Sequence, residues 1–304
     1  NLQSRFTLVL LLIVSIPAIA IIFFFYGRAY DMVVSYTIRQ EQDRSAETAP
    51  LIEESIQKVL DVSEEISSLD FYQTLFKNAI TDSFTDLADS PDAASFSQKV
   101  DQLITGTPVT NVKIYMEVSK DSPSDINALL NKEDLKDTFL SLDQVRGTYW
   151  YGIFRGSRVS QLFCPSFYLG TKEQKAYGDQ AYITHASVIY NNRTYDAYMA
   201  VYYSGHDFQQ ILSENLTLGS VSYIVNERDN MVASSNSSLS GIYWLDYDKI
   251  MESYMSSNSF VEQDILGKTV YVGFYRIKQP GWFMVTVLPS QPLINQSNIL
   301  VLQF

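Results

Sequence analysis

Residues Thr7 to Tyr26 read TLVLLLIVSIPAIAIIFFFY, an unbroken run without a charge, with Arg5 before it and Arg28 after it. At ~1.5 Å per residue, a helix of this length spans the ~30 Å hydrocarbon core of a bilayer. The chain then becomes polar and acidic until Asn298 to Phe304 (NILVLQF), which reads as the start of a second crossing. One crossing at residues 1–27, a folded region, and a returning segment at 291–304 is therefore the expected layout.

A cleaved signal peptide is the rival reading of the first run, and Ala18-Ile19-Ala20 offers a small-x-small site. Against it, the apolar run continues through Ile21, Ile22, Phe23, Phe24 and Phe25, where a mature N-terminus would turn polar. The retained anchor is the expectation, and Pro17 is tolerable inside it. Arg5 favours an N-terminus on the inside, with Arg28 weakening the asymmetry. Residues from about 28 to 290 are then expected outside the cell.

The net charge of −12 argues against nucleic acid as a partner, because phosphates are met with Lys and Arg. Cys164 is the single cysteine, so no internal disulfide forms. An ectodomain of this kind suits a bacterial surface.

From Arg28 to Leu69 there is no Gly and one Pro, which predicts a stalk helix over 28–70. Ile52, Ile56, Val59, Ser63, Ile66 and Leu69 fall on one stripe of it. The stripe reads either as packing against its own domain or as a dimer seam. Pro50 is expected to kink or split the helix. Further helices are expected at Phe71 to Thr81 and from the Ser90-Pro91 cap to Gly106, the latter presenting Phe96, Val100, Leu103 and Ile104.

The period then changes to two at Val112, Ile114, Met116 and Val118. A helix over Lys132 to Val145, strands at Thr148 to Phe154 and Gln161 to Leu169, and a hairpin of Tyr182 to Tyr190 with Thr194 to Tyr203 around Asn191-Asn192-Arg193 follow. A helix from Asp207 to Asn215 closes a unit at 71–216. A smaller unit at 217–290 holds strands at Val221 to Val225 and Met231 to Ser234, and a helix at Asp246 to Ser256. It ends in strands at Phe260 to Leu266, Thr269 to Ile277 and Trp282 to Leu288. The fold class is α+β, a long N-terminal helix followed by two PAS-like antiparallel sheet modules in series.

This order resembles the double Cache (dCache) sensor domains of bacterial transmembrane receptors. The resemblance rests on Gly147-Thr148-Tyr149-Trp150-Tyr151, on the strand from Ala200 leading to a helix at Leu212, and on Gly281-Trp282-Phe283-Met284-Val285 with Pro289. The closing GWFMVTVLP pattern is most similar to YesM-like sensor histidine kinases. The resemblance implies a ligand-lining strand at Trp150. It also implies a homodimer in the full-length receptor and a kinase catalytic part beyond Phe304. Where the family's amino-acid-binding version has an Arg, this chain has Thr148. Where that version has an Asp, it has Tyr202 or Tyr203. The charges that hold a zwitterion are missing from those positions, and an ordinary amino acid is not the expected ligand.

No G-x-S-x-G elbow, P-loop, H-E-x-x-H or calcium loop occurs, so no catalytic residue is assigned. His185 and His206 are isolated, and neither a metal nor a cofactor is expected. Many of the 21 tyrosines cluster, at Tyr149 to Tyr151, Phe163 to Tyr168, Tyr177 to Tyr203 and Tyr243 to Tyr247. Tyrosine suits half-buried strands in general. Its alternative role is an aromatic pocket for a neutral polar small molecule such as a sugar. Trp150, Tyr151, Phe167, Tyr182, His185 and Tyr202 are the expected lining residues of that pocket.

The expected function is ligand sensing by a membrane receptor, a sensor histidine kinase first, with a chemoreceptor or cyclase ectodomain as the alternative. A membrane-anchored extracellular enzyme and a passive adhesion ectodomain are rivals of other classes.

Overall fold

The computed structural model describes residues 2–80, 83–118, 126–228, 230–236, 238, 245–257, 259–265, 267–278 and 280–302. Expectations falling on Thr81, Asp229, Tyr243 and Leu266 lie outside the described residues.

Helix α1 (Leu2–Ser67) is a single helix of 66 residues. It is the one described helix long and apolar enough to cross a membrane, and its apolar stretch is unburied. Of the kink or split expected at Pro50, the split does not occur: α1 runs unbroken through it. The lost backbone bond is outweighed by packing, because Ala49 and Ile52 beside the proline are fully buried while Pro50 faces outward. The stripe from Ile52 through Ile56, Val59, Ser63 and Ile66 is buried against the chain's own core.

α2 (Asp70–Phe76) stops short of the expected boundary, and Ala79–Ile80 (β1) forms a short edge strand instead. After α3 (Phe84–Ala88) comes α4 (Pro91–Ile104), begun as expected by Ser90, whose hydroxyl accepts the Ala93 N–H at 3.2 Å. Strand β2 (Val109–Met116) follows. The helix expected over Lys132 to Val145 does not form. The segment holds turns, the strand β3 (Phe139–Ser141) and a 3-10 turn, preceded by α5 (Asn127–Asn131). Thr138 and the buried Phe139 and Leu142 serve the sheet and its cover, which overrides local helical pattern.

α6 (Tyr149–Gly156), β4 (Gln161–Cys164) and α7 (Thr171–Ala176) lead to β5 (Gln180–Tyr190) and β6 (Arg193–Tyr203). The β5–β6 turn holds Asn191 and Asn192 at φ 50 and 59, the type I′ geometry that twists with its strands. The first sheet runs β1-β5-β6-β2-β3, with β4 also on β5. It is antiparallel at its centre, but β1 and β3 join it in parallel.

α8 (Gly205–Ser213) connects to the second sheet, ordered β8-β7-β11-β10-β9 and antiparallel throughout. Its strands are β7 (Val221–Val225), β8 (Met231–Ser234), β9 (Val261–Ile265), β10 (Lys268–Arg276) and β11 (Phe283–Pro289). α9 (Tyr247–Ser257) covers one face. The last helix, α10 (Ser290–Leu302), returns beside α1, with Leu293 buried among Val33, Tyr271 and Leu288. α1 is thus the spine of both sheets and meets the chain's final helix at its lower end.

Candidate functional site

The first sheet has two unlike faces. Along β6, Ala197, Met199, Val201 and Tyr203 enter the core shared with α1, α2 and α4. The alternate residues Tyr198, Ala200 and Tyr202 point to the other face, beneath α6 and the loops around it.

Thr148 caps α6, its Oγ1 accepting the Tyr151 N–H at 3.4 Å. The resemblance placed Trp150 on a strand. It lies on this helix, because the cap and the spacing of Trp150, Tyr151 and Phe154 lay one aromatic face on the sheet. Trp150 is fully buried and meets Tyr198 edge-on at 5.5 Å and Tyr115 at 6.1 Å.

At the centre of this face is a carboxylate that the sequence reading passed over. Glu173 is only 4% exposed. Its Oε1 accepts the Tyr202 O–H at 2.5 Å and the Trp150 Nε1–H at 3.3 Å, and its Oε2 accepts the Gly170 N–H at 2.8 Å. The Tyr202 hydroxyl is also 2.8 Å from that of Tyr115. Burial, then the neighbouring Tyr115 and Glu173, push the Tyr202 hydroxyl well above its usual pKa, so it stays a donor. Tyr177 stacks on Tyr202 at 5.3 Å, and the Lys113 ammonium sits 4.7 Å from the Tyr177 ring centre. Lys113 donates to the Asp137 carbonyl, and burial draws its pKa down against the pull of Asp137 and Asp101. The sequence carried a weak signal for Glu173: Gly170-Thr171-Lys172-Glu173 places a Glu at the third helical position, where it can reach back to the cap N–H. Lys113 stands between the apolar Val112 and Ile114 of the period-two run, where nothing in the local sequence marks it.

Of the six expected lining residues, Trp150, Tyr151 and Tyr202 share this face. His185 is at its exposed rim, with Nε2 3.0 Å from Asp196 Oδ1 and its ring 5.1 Å from Tyr198. Phe167 is 54% exposed and packs on Tyr168 at 4.7 Å. Tyr182 corrects the single-cavity expectation. It points to the opposite face, stacks on Phe163 at 4.6 Å and donates to Gln161 Oε1 at 2.7 Å. An odd-numbered neighbour would have faced Trp150; period two sends Tyr182 the other way. No cluster of metal-ligating side chains occurs among the described residues.

Compared by sequence, the chain matches no known family and no curated protein. By structure, it is similar to the ligand-binding domain of the Campylobacter jejuni chemoreceptor Tlp3 in complex with L-norvaline. That likeness has a TM-score of 0.50 at 10% identity, over 86% of this chain and 94% of that one. It is equally similar to an extracellular domain ascribed to the histidine kinase soHK1S-Z6, with a TM-score of 0.50 at 10% identity over 89% and 99%. This chain shares the fold of those two domains. At such identity the likeness speaks for the fold and leaves the ligand open.

Proposed function

We propose that this chain is the extracellular ligand-sensing region of a bacterial membrane receptor, with a sensor histidine kinase as its output. The observation that carries the proposal is the continuity of α1. The apolar stretch and the spine of both sheets are one helix, and α10 returns against it through Leu293. A ligand that favours one arrangement of the sheets would bias the relation between α1 and α10. Met32 and Tyr36, exposed one turn apart above the apolar run, supply the homodimer seam in this reading. A chemoreceptor or cyclase output would use the same region in the same way.

The proposed ligand site is the face of Trp150, Tyr151 and Tyr202, with Phe167 and His185 at its margin. A neutral, hydroxyl-rich small molecule, of which a sugar is the type, would stack on these aromatic rings in an arrangement in which α6 stands off the sheet, since Trp150 and Tyr202 are fully buried beneath it here. Its hydroxyls would replace the Tyr202 and Trp150 donors on Glu173. A second reading has its own observation. Glu173 is buried with neutral donors and Lys113 lies on the same face, so an amine with a carboxylate would also find complementary charge.

Calorimetry on the full chain in lipid nanodiscs, titrated with monosaccharides, oligosaccharides and amino acids, tests both. Saturable binding that Trp150→Ala or Glu173→Gln weakens supports the site. Binding untouched by either substitution in a folded protein overturns it. Amino-acid binding without sugar binding selects the second reading.

A further inference from the structure

The second sheet has an open edge in its interior. β10 pairs with β11 from Val270 to Arg276, but with β9 only from Lys268 to Val272. Residues Gly273 to Arg276 therefore have no described strand on one side. The Ile277 N–H donates to the Trp282 carbonyl at 2.8 Å, which sets the alternation. Odd-numbered residues bond to β11, and the main-chain groups of Phe274 and Arg276 turn to the open side.

That side is a groove. A cavity of about 780 Å³ lies along it, walled by Ala49, Pro50 and Glu53 of α1 and by Met251 and Met255 of α9. It continues into one of about 280 Å³ beside Gly273 and Phe260. Gly273 has no side chain because the Phe260 ring occupies the space: a Cβ there would lie 2.3 Å from a ring carbon. Phe260 thereby closes one end of the groove. At the other end Arg276 and Lys278 are exposed, beside Glu53, whose Oε1 accepts the Lys278 N–H at 2.6 Å. Met255 is 73% exposed on the rim, and methionine adapts to varied apolar partners.

We propose that this groove takes an extended peptide as an added strand on β10. The peptide would have apolar residues at alternate positions and a carboxylate at the end near Arg276 and Lys278. The argument for a strand is the pair of open main-chain positions: a free edge is a template for pairing. The argument for alternation is the strand geometry itself: side chains of an added strand point alternately to opposite sides, and the apolar side chains of Met251, Met255 and Phe283 line this groove. The argument for acid is the charge at the far end, where the two cations Arg276 and Lys278 outnumber the one carboxylate of Glu53. Four residues of edge, at ~3.4 Å each, fit a core of about four peptide residues. This site is separate from the Trp150 face and does not depend on it.

The test uses the full chain in nanodiscs as bait for a phage-displayed library of random dodecapeptides. Enriched peptides are synthesised with a fluorophore and titrated by polarisation. They are titrated against the wild type and against the Met255→Lys, Arg276→Glu double variant, whose sites are both exposed. The expected peptides alternate apolar residues with at least one acid and weaken by about tenfold or more on the double variant. They also slow hydrogen exchange at the Phe274 and Arg276 amides. A melting temperature matching the wild type verifies that the variant is folded. The proposal is overturned by a selection that enriches nothing, by peptides that bind the variant equally, or by unprotected Phe274 and Arg276 amides.

Discussion

Arg44 donates from Nε to Glu41 Oε2 at 2.6 Å, and both side chains are sealed inside the protein. The pair sits where three parts of the chain meet. Arg44 also reaches the Leu212 carbonyl at 3.4 Å and Thr286 Oγ1 at 3.3 Å. Glu41 Oε1 accepts the Thr217 N–H at 2.9 Å and its hydroxyl at 2.5 Å. One buried ion pair on α1 therefore holds the end of α8, the connector after it and strand β11. Removing one partner leaves an uncompensated charge, which costs about 3–5 kcal/mol. Arg44→Ala is expected to lose stability on that scale in urea denaturation of the full chain. The Arg44→Met, Glu41→Leu double variant is expected to recover much of it, because both charges are then gone.

Tyr202 and Tyr182 give a paired test of the proposed ligand face. The Tyr202 hydroxyl donates to Glu173 on that face, and the Tyr182 hydroxyl donates to Gln161 on the other. Tyr182→Phe removes one neutral hydrogen bond, a loss of about 1 kcal/mol in stability, whereas Tyr202→Phe removes two, one of them to the Glu173 carboxylate, and should cost more. Only Tyr202→Phe should alter affinity for a ligand found by calorimetry. An equal effect from Tyr182→Phe would point to a general loosening of the sheet.

The parts of the fold legible in sequence are those governed by local chemistry. The Ser90-Pro91 cap, the Asn191-Asn192 turn and the apolar run each state their structure within a few residues. The stripe on α1 was legible as a stripe, and only tertiary structure could show that its own core covers it. Trp150 was found, but its helix was hidden. Tyr149, Trp150 and Tyr151 have strand-like propensity, and the Thr148 cap together with packing on Tyr198 decided otherwise. Glu173 and Lys113 were hidden for a different reason. Their significance is burial beside Tyr202 and Tyr177, which requires α7 and β2 to meet across the sheet.

Trp282 joins the two sheets. Its ring meets Phe163 of β4 edge-on at 5.1 Å, and its Nε1–H donates to Glu227 at 3.2 Å. Nearby, Gln180 of β5 donates to the Val232 carbonyl of β8 at 2.6 Å. Trp282→Ala should cost about 3–5 kcal/mol, as large-to-small changes in a packed core do. Because the ring sits between the sheets, calorimetric scans of the variant should resolve two transitions in place of one. A single transition at lower temperature would mean that Gln180 and the α1 spine alone keep the sheets coupled.

Stability should fall on the alkaline side, and the tyrosines set the sign. Tyr115, Tyr202, Tyr203 and Tyr271 all have pKa values raised above the ordinary 10.0, with burial the largest cause in each. Above about pH 10 the unfolded chain releases these phenolic protons while the folded chain keeps them. The folded state then binds more protons, so stability is present below the unfolded pKa and is lost as pH rises through it. Lys113 acts in the opposite sense. Its pKa is lowered from 10.5 by burial, so its penalty on the folded state fades as pH rises towards that value. Four tyrosines outweigh one lysine. Urea denaturation at about pH 9 and about pH 11 should therefore show a lower midpoint at the higher value. Phenolate absorbance should show these tyrosines titrating together with unfolding. Titration of all tyrosines before any loss of structure would mean that the Tyr115–Tyr202–Glu173 cluster is open to solvent.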